Sequence, residues 1–248
     1  PIYLDHNATT PIDPRVADAM LPYLQGGFGN PSSSHALGVA AKLAVERARA
    51  NVAALIGARP EEIVLTSGGS EANNTVIAGV ARRRRERGRH LVTSAVEHPA
   101  VLEPCRALAE DGWDLTILPV DDRGRLDPDE LRRALRPDTV LATVMHANNE
   151  VGTIEPIAEI AAICREHDVW LHTDAAQSVG KIPVDVDDLG VDFLTIAGHK
   201  FHGPKGVGAL YVRSGREIPS LIRGADHDVH QRSSTEHVLE IVGLGKAA

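Results

Sequence analysis

Apolar and polar positions alternate along this chain between two rhythms. Val39 to Ile56 carries apolar residues at helical spacing and stops at Gly57. Ile63-Val-Leu-Thr-Ser67 follows as a short buried strand, then Gly68-Gly69-Ser70, then a helical segment from Glu71. The same alternation predicts strands at Leu91–Val96, Leu115–Val120, Thr139–Met145, Val169–Thr173, Phe193–Ala197 and Gly208–Val212, with helices near 99–111, 128–136 and 156–167. Seven strands joined by helical crossovers predict an α/β domain with a mostly parallel sheet and helices on both faces. The last connection, Gly198 to Val207, is too short for a parallel crossover, so the seventh strand is expected to run antiparallel.

The two ends break the rhythm. Residues 1–12 hold a strand-like triplet and a turn-rich stretch without a helix. His237 to Ala248 open an amphipathic helix on Val238, Ile241, Val242 and Leu244 that carries no stop signal, as though the chain were cut there. We therefore expect 13–236 to form the main domain. Residues 1–12 would belong to a smaller domain, and 237–248 would begin a linker helix leading to the rest of it.

Composition narrows the class. Among 248 residues, 43% are hydrophobic and 24% charged, which excludes a disordered or fibrous chain. The net charge of −8 argues against general nucleic-acid binding. The basic run Arg82–Arg85, with Arg87 and Arg89, reads as the solvated end of a helix. No apolar run suits a membrane helix, and two cysteines (Cys105 and Cys164) make no disulfide framework, so a cytoplasmic location is expected.

Candidate chemistry gathers where strands end. Gly68-Gly69-Ser70-Glu71, between strand and helix, offers backbone N–H groups, a hydroxyl and a helix N-terminus to a phosphate, although many such turns only pack. It matches neither the dinucleotide nor the nucleoside-triphosphate glycine fingerprint. Asp174 closes the fifth strand, where a carboxylate could hold a protonated ring nitrogen or simply cap a helix. Lys200 follows the sixth strand and could form a Schiff base; Lys205, in Gly-Pro-Lys-Gly, is the competitor. His98 follows the second strand, and Asn148 and Asn149 the fourth. Together, a phosphate cradle, a ring-stacking histidine, an acid and an amine suit pyridoxal 5'-phosphate (PLP). A metal site on His199, His202, His227 and His230 is the rival reading, but no established ligand motif supports it, and we expect none.

These residues resemble the cysteine desulfurase family of fold-type I PLP enzymes. The likeness runs through Tyr3-Leu-Asp-His-Asn-Ala-Thr-Thr10, Gly29-Asn-Pro-Ser-Ser33, Thr66-Ser-Gly-Gly-Ser-Glu-Ala-Asn-Asn74, Glu97-His98, Asn148-Asn-Glu-Val-Gly152, Asp174-Ala-Ala-Gln-Ser178, Gly198-His-Lys200 and Arg232-Ser-Ser-Thr-Glu236. It implies Lys200 as the Schiff-base lysine, Asp174 on the pyridine nitrogen, and His98 stacked on the ring and aiding proton transfer. Gln177 would reach the ring hydroxyl, and Asn148 that hydroxyl and the substrate carboxylate. Gly69, Ser70 and His199 would hold the phosphate, joined by Thr235 from the second subunit of a homodimer. The implied reaction converts L-cysteine to L-alanine, leaving the sulfur as an enzyme persulfide for a sulfur-acceptor protein; selenocysteine lyase shares these motifs. Three departures stand out. Ala197 replaces a phosphate-binding serine common in the family, and the stretch Gly224–Arg232 is poorer in glycine. The nucleophilic cysteine is the third, since neither Cys105 nor Cys164 suits that role.

Overall fold

The computed structural model describes residues 2–224 and 232–248. Seven strands form one sheet: β1 (Ile63–Thr66), β2 (His90–Ser94), β3 (Asp114–Leu118), β4 (Thr139–Thr143), β5 (Trp170–Asp174), β6 (Phe193–Ala197) and β7 (Gly208–Val212). Among the described residues, eight α-helices accompany them: α1 (Pro14–Gln25), α2 (Ala36–Leu55), α3 (Gly69–Arg84), α4 (Pro99–Glu110), α5 (Pro128–Ala134), α6 (Ile157–Glu166), α7 (Val186–Leu189) and α8 (Val238–Ala247). Strand order is β1-β7-β6-β5-β4-β2-β3. The pairs among β2, β3, β4, β5 and β6 are parallel, while β7 runs antiparallel to both β1 and β6, as its short connection requires.

Both faces of the sheet are covered, and the strands show it residue by residue. Ile63 and Leu65 join an apolar cluster with α2, α6 and α8, whereas Val64 between them joins a second cluster with α3 and α4. In β7, Ala209 and Tyr211 point to the first cluster, and Leu210 and Val212 to the second. Strands buried on both sides read as continuous apolar runs, so β1, β6 and β7 are buried throughout. Edge strand β3 keeps Asp114 and Ile117 exposed.

Helix starts follow local chemistry. Asp13 accepts from the Arg15 N–H ahead of Pro14, and His98 Nδ1 accepts from the Ala100 N–H ahead of Pro99. Helix α3 has Glu71 in its first turn and Arg82, Arg83 and Arg84 in its last, each sign suited to the dipole. The basic run is solvated except at Arg84. Its guanidinium lies 4.8 Å from the Trp170 ring centre, to which Arg216 also comes within 5.3 Å, and pairs with Asp168 at 2.8 Å.

His172, in the middle of the sheet, is fully buried with Nδ1 on the Thr143 hydroxyl and Nε2 on the Thr195 hydroxyl. Burial pushes its pKa down to about 3, so it is a neutral structural residue.

Strand β7 starts at a close approach. A side chain at Gly208 would come within 2.4 Å of the Ile196 carbonyl oxygen and 2.8 Å of Gly68 Cα. Gly68 itself sits at φ +147°, a conformation that favours glycine. Gly208→Ala is therefore expected to destabilise the fold by about 1–3 kcal/mol, measured by denaturant unfolding.

Candidate active site

Strands β1, β2, β4, β5 and β6 all end at one edge of the sheet, and the open cleft lies there. It encloses about 590 Å³ and is lined by Gly69, Ser70, His98, Asp174, Gln177, His199 and Lys200, among others. Ligands of open α/β sheets bind at this edge because the following loops and helix N-termini converge on it.

On one wall, Gly68 is the N-cap of α3, so the first-turn amides of Gly69, Ser70 and Glu71 precede any intrahelical partner. Glu71 does not leave an unbalanced negative charge beside them. Its carboxylate accepts from the Ser67 N–H at 2.8 Å and pairs with Arg232 at 2.8 Å, partners that hold its pKa below the usual range against the opposing effect of burial. A shallower recess of about 390 Å³ shares Gly69, Ser70 and His199 and is also lined by Lys205. Ala197 lines the main cleft without a hydroxyl to offer.

Asp174 closes β5 and is 7% exposed. One carboxylate oxygen accepts from Asn73 Nδ2 at 2.8 Å, and the other from the Ala176 N–H at 3.0 Å. It caps no helix; its two donors fix it as an acceptor facing the cleft.

Lys200 Nζ donates to the carbonyls of Asn7 at 2.5 Å and Ala8 at 3.1 Å. Burial lowers its pKa, opposed by the nearby charges of Asp174 and Asp5. The segment bearing those carbonyls is pinned in turn. The Thr10 N–H and hydroxyl both donate to the His199 carbonyl, and Asn7 Nδ2 donates to the Asn149 carbonyl. His199 Nδ1 lies 3.1 Å from the Thr9 hydroxyl, and burial, then Lys200 and Lys205, lower its pKa.

Not every expected residue faces the cleft. Asn148 is buried and builds the loop after β4. Its Oδ1 accepts from the Glu150 and Val151 N–H groups, and its Nδ2 donates to the Val96 carbonyl. Asn149 lines the cleft instead. Thr235 is exposed and does not line this chain's own cleft. His227 and His230 lie outside the described residues. Both thiols are buried, which pushes the pKa of Cys105 and of Cys164 up to about 12. Such thiols are poor nucleophiles.

Reasoning from single residues missed the partners. Asn73 falls within the stretch Thr66–Asn74 without being singled out there, and it lies in the first turns of α3, which aims it at Asp174. Glu97 is another. Its Oε1 accepts from the Ser94 hydroxyl at 2.7 Å and the Met145 N–H at 2.8 Å, tying the loop that carries His98 to the end of β4. Burial pushes its pKa up to about 8. The folded state thus holds a proton that the unfolded chain releases near 4.5, so this group's stabilisation is full below that pH and lost as pH rises to 8. Between pH 6 and 8 the wild type is expected to lose up to about 1.4 kcal/mol per pH unit through Glu97. Glu97→Gln, which keeps the acceptor and cannot ionise, should remove that component from the pH dependence of denaturant midpoints.

With this geometry in hand, the comparisons are consistent. Residues 2–248 match the family model of the class-V aminotransferases, and this chain belongs to that family. It is 54% identical over 246 residues to the cysteine desulfurase IscS of Dictyoglomus turgidum, covering 99% of this chain and 62% of that protein. Among solved structures, a NifS-like protein aligns with a TM-score of 0.97 at 41% identity, covering 99% of this chain and 68% of its own. SspA in complex with cysteine aligns with a TM-score of 0.96 at 43% identity, covering 99% and 71%. The fold is that of the fold-type I PLP enzymes, and PLP is the cofactor of this family. The cleft fits it: an amine, a carboxylate held as an acceptor and a glycine-rich helix start face the same space.

Proposed function

We propose that this chain carries the cofactor-binding part of a PLP-dependent cysteine desulfurase. The carrying observation is that Lys200, Asp174 and the Gly69-Ser70 helix start face one cleft. When bound, PLP supplies an aldehyde that takes up amines and a ring that withdraws electrons from the attached carbon. Lys200, its ammonium form disfavoured by burial, would be the amine that holds it. Asp174 would hold the ring nitrogen, and Gly69, Ser70 and His199 the phosphate. Gln177 would reach the ring hydroxyl. His98 uses Nδ1 as an acceptor at the start of α4, so its neutral ring carries the proton on Nε2. It would stack on the ring and pass protons from that atom.

The substrate is L-cysteine and the product L-alanine, with the sulfur passed to an enzyme cysteine and then to an acceptor protein. Cys105 and Cys164 are both buried, so neither would serve as that thiolate; this chain spans 62% of the length of the Dictyoglomus relative. A cytoplasmic homodimer completes the reading, with Thr235 of one subunit serving the phosphate of the other; an exposed Thr235 away from its own cleft supports it. Among the described residues no helix is long and apolar enough to cross a membrane.

The test is borohydride reduction of the protein with added PLP, followed by mapping of the modified residue and by an assay for alanine release from L-cysteine with a thiol reductant. Cofactor fixed on Lys200 is the expected result, with alanine release confined to the enzyme that includes the nucleophilic cysteine. PLP that reduces onto no residue, or onto Lys205, would refute the assignment.

A further inference from the structure

Gln177 faces the cleft with an amide whose two ends are opposite in character: Nε2 donates and Oε1 accepts. A free glutamine could present either. Here Lys181 makes the choice. Residues 175–182 wind through successive turns, with Val179 N–H on the Ala175 carbonyl and Lys181 N–H on that of Ser178, which brings the side chains of Gln177 and Lys181 together. Lys181 Nζ donates to Gln177 Oε1 at 2.5 Å, and Gln177 Nε2 then donates to the Asn7 carbonyl at 2.9 Å. An ammonium group has no acceptor to offer, so it can meet only the amide oxygen. The amide nitrogen is thereby turned toward the N-terminal segment that also covers Lys200.

We propose that Lys181 is a positioning residue that locks Gln177 as a hydrogen-bond donor to the ring oxygen of the cofactor. The inference rests on the PLP reading above and deepens it, since an acceptor-facing Gln177 would repel the ring oxygen in its anionic form. A donor on that oxygen makes it less basic and so weakens its hold on the proton of the lysine-bound cofactor. Lys181 therefore acts on the titration of the bound chromophore through Gln177, without touching the cofactor.

The experiment uses PLP-loaded protein and follows cofactor absorbance against pH in the wild type, Lys181→Met, Lys181→Gln, Gln177→Ala and the double variant Lys181→Met/Gln177→Ala. Borohydride mapping first establishes that the cofactor sits on Lys200 in each. Lys181→Met should move the chromophore's pH midpoint upward by about one unit. Lys181→Gln, which can present either amide end, should move it part of the way. In the Gln177→Ala background the Lys181→Met shift should shrink to less than half, because the residue it acts through is gone. Unshifted midpoints in both Lys181 variants, or an undiminished shift in the double variant, would overturn the positioning role while leaving the cofactor reading intact. A wild type that fixes no PLP would overturn both.

Discussion

Lys200→Ala is expected to abolish the borohydride-stable adduct altogether, and to lower alanine release by the enzyme with its nucleophilic cysteine on the order of 10³-fold or more. The magnitude follows from the position of the amine. Its Nζ lies in the cleft between the Asn7 and Ala8 carbonyls, and burial already disfavours its charge. Lys200→Arg should fail equally, because a guanidinium stays protonated and cannot act as a nucleophile. Lys205→Ala is the control: it lines the neighbouring recess, not the main cleft, and should retain the adduct. An adduct that survives in Lys200→Ala would point to another lysine and sink the assignment.

Asp174→Asn should be the second most damaging change, lowering kcat by about 10²–10³-fold with a smaller effect on KM. Two causes act together. The substitution removes the negative charge that would hold the ring nitrogen protonated. It also sets an NH₂ group against an existing donor, since the two Asp174 oxygens accept from Asn73 Nδ2 and from the Ala176 N–H. Leaving one of these buried groups unsatisfied adds a stability loss of about 1–3 kcal/mol. Asn73→Ala, which keeps the charge and loosens only its orientation, should be milder in steady-state kinetics.

The sequence was informative where local chemistry decides the outcome. All seven strands were legible, six of them because burial on both faces writes them as short runs without charge and β3, at the edge, from its alternation, and the reversal of β7 followed from the length of one connection. The boundaries of β1 to β5 shifted by one or two residues, as strand ends generally do. Helix α1 was not among the predicted elements, and the single turn of α7 also escaped, being too brief to show a period. In the cleft, Lys200, Asp174 and His98 were legible because each sits at or just beyond a strand end. The Asn148-Asn149 pair was ambiguous for a physical reason: two identical side chains in one turn differ only in which backbone groups they meet, and these are set by the fold. Asn7, Asn73 and Glu97 act through contacts with segments distant in sequence, which no spacing rule reaches, and Lys181 meets Gln177 through successive turns that leave no periodic signal.

The placement of β7 also bears on how the molecule assembles. The glycine turn after β1 is set at the sheet edge by pairing with β7, where Ile63 lies opposite Tyr211 and Thr66 opposite Gly208. These are the most distant of the strand partners in the sheet, so the pairing is a high-contact-order event with a large loop-closure cost. During synthesis, β2 to β6 can associate in parallel as they emerge from the ribosome, whereas β1 must wait for β7. The cofactor site is therefore a late product of folding, and a nascent chain halted before residue 208 would hold Asp174 and Lys200 without the turn that faces them.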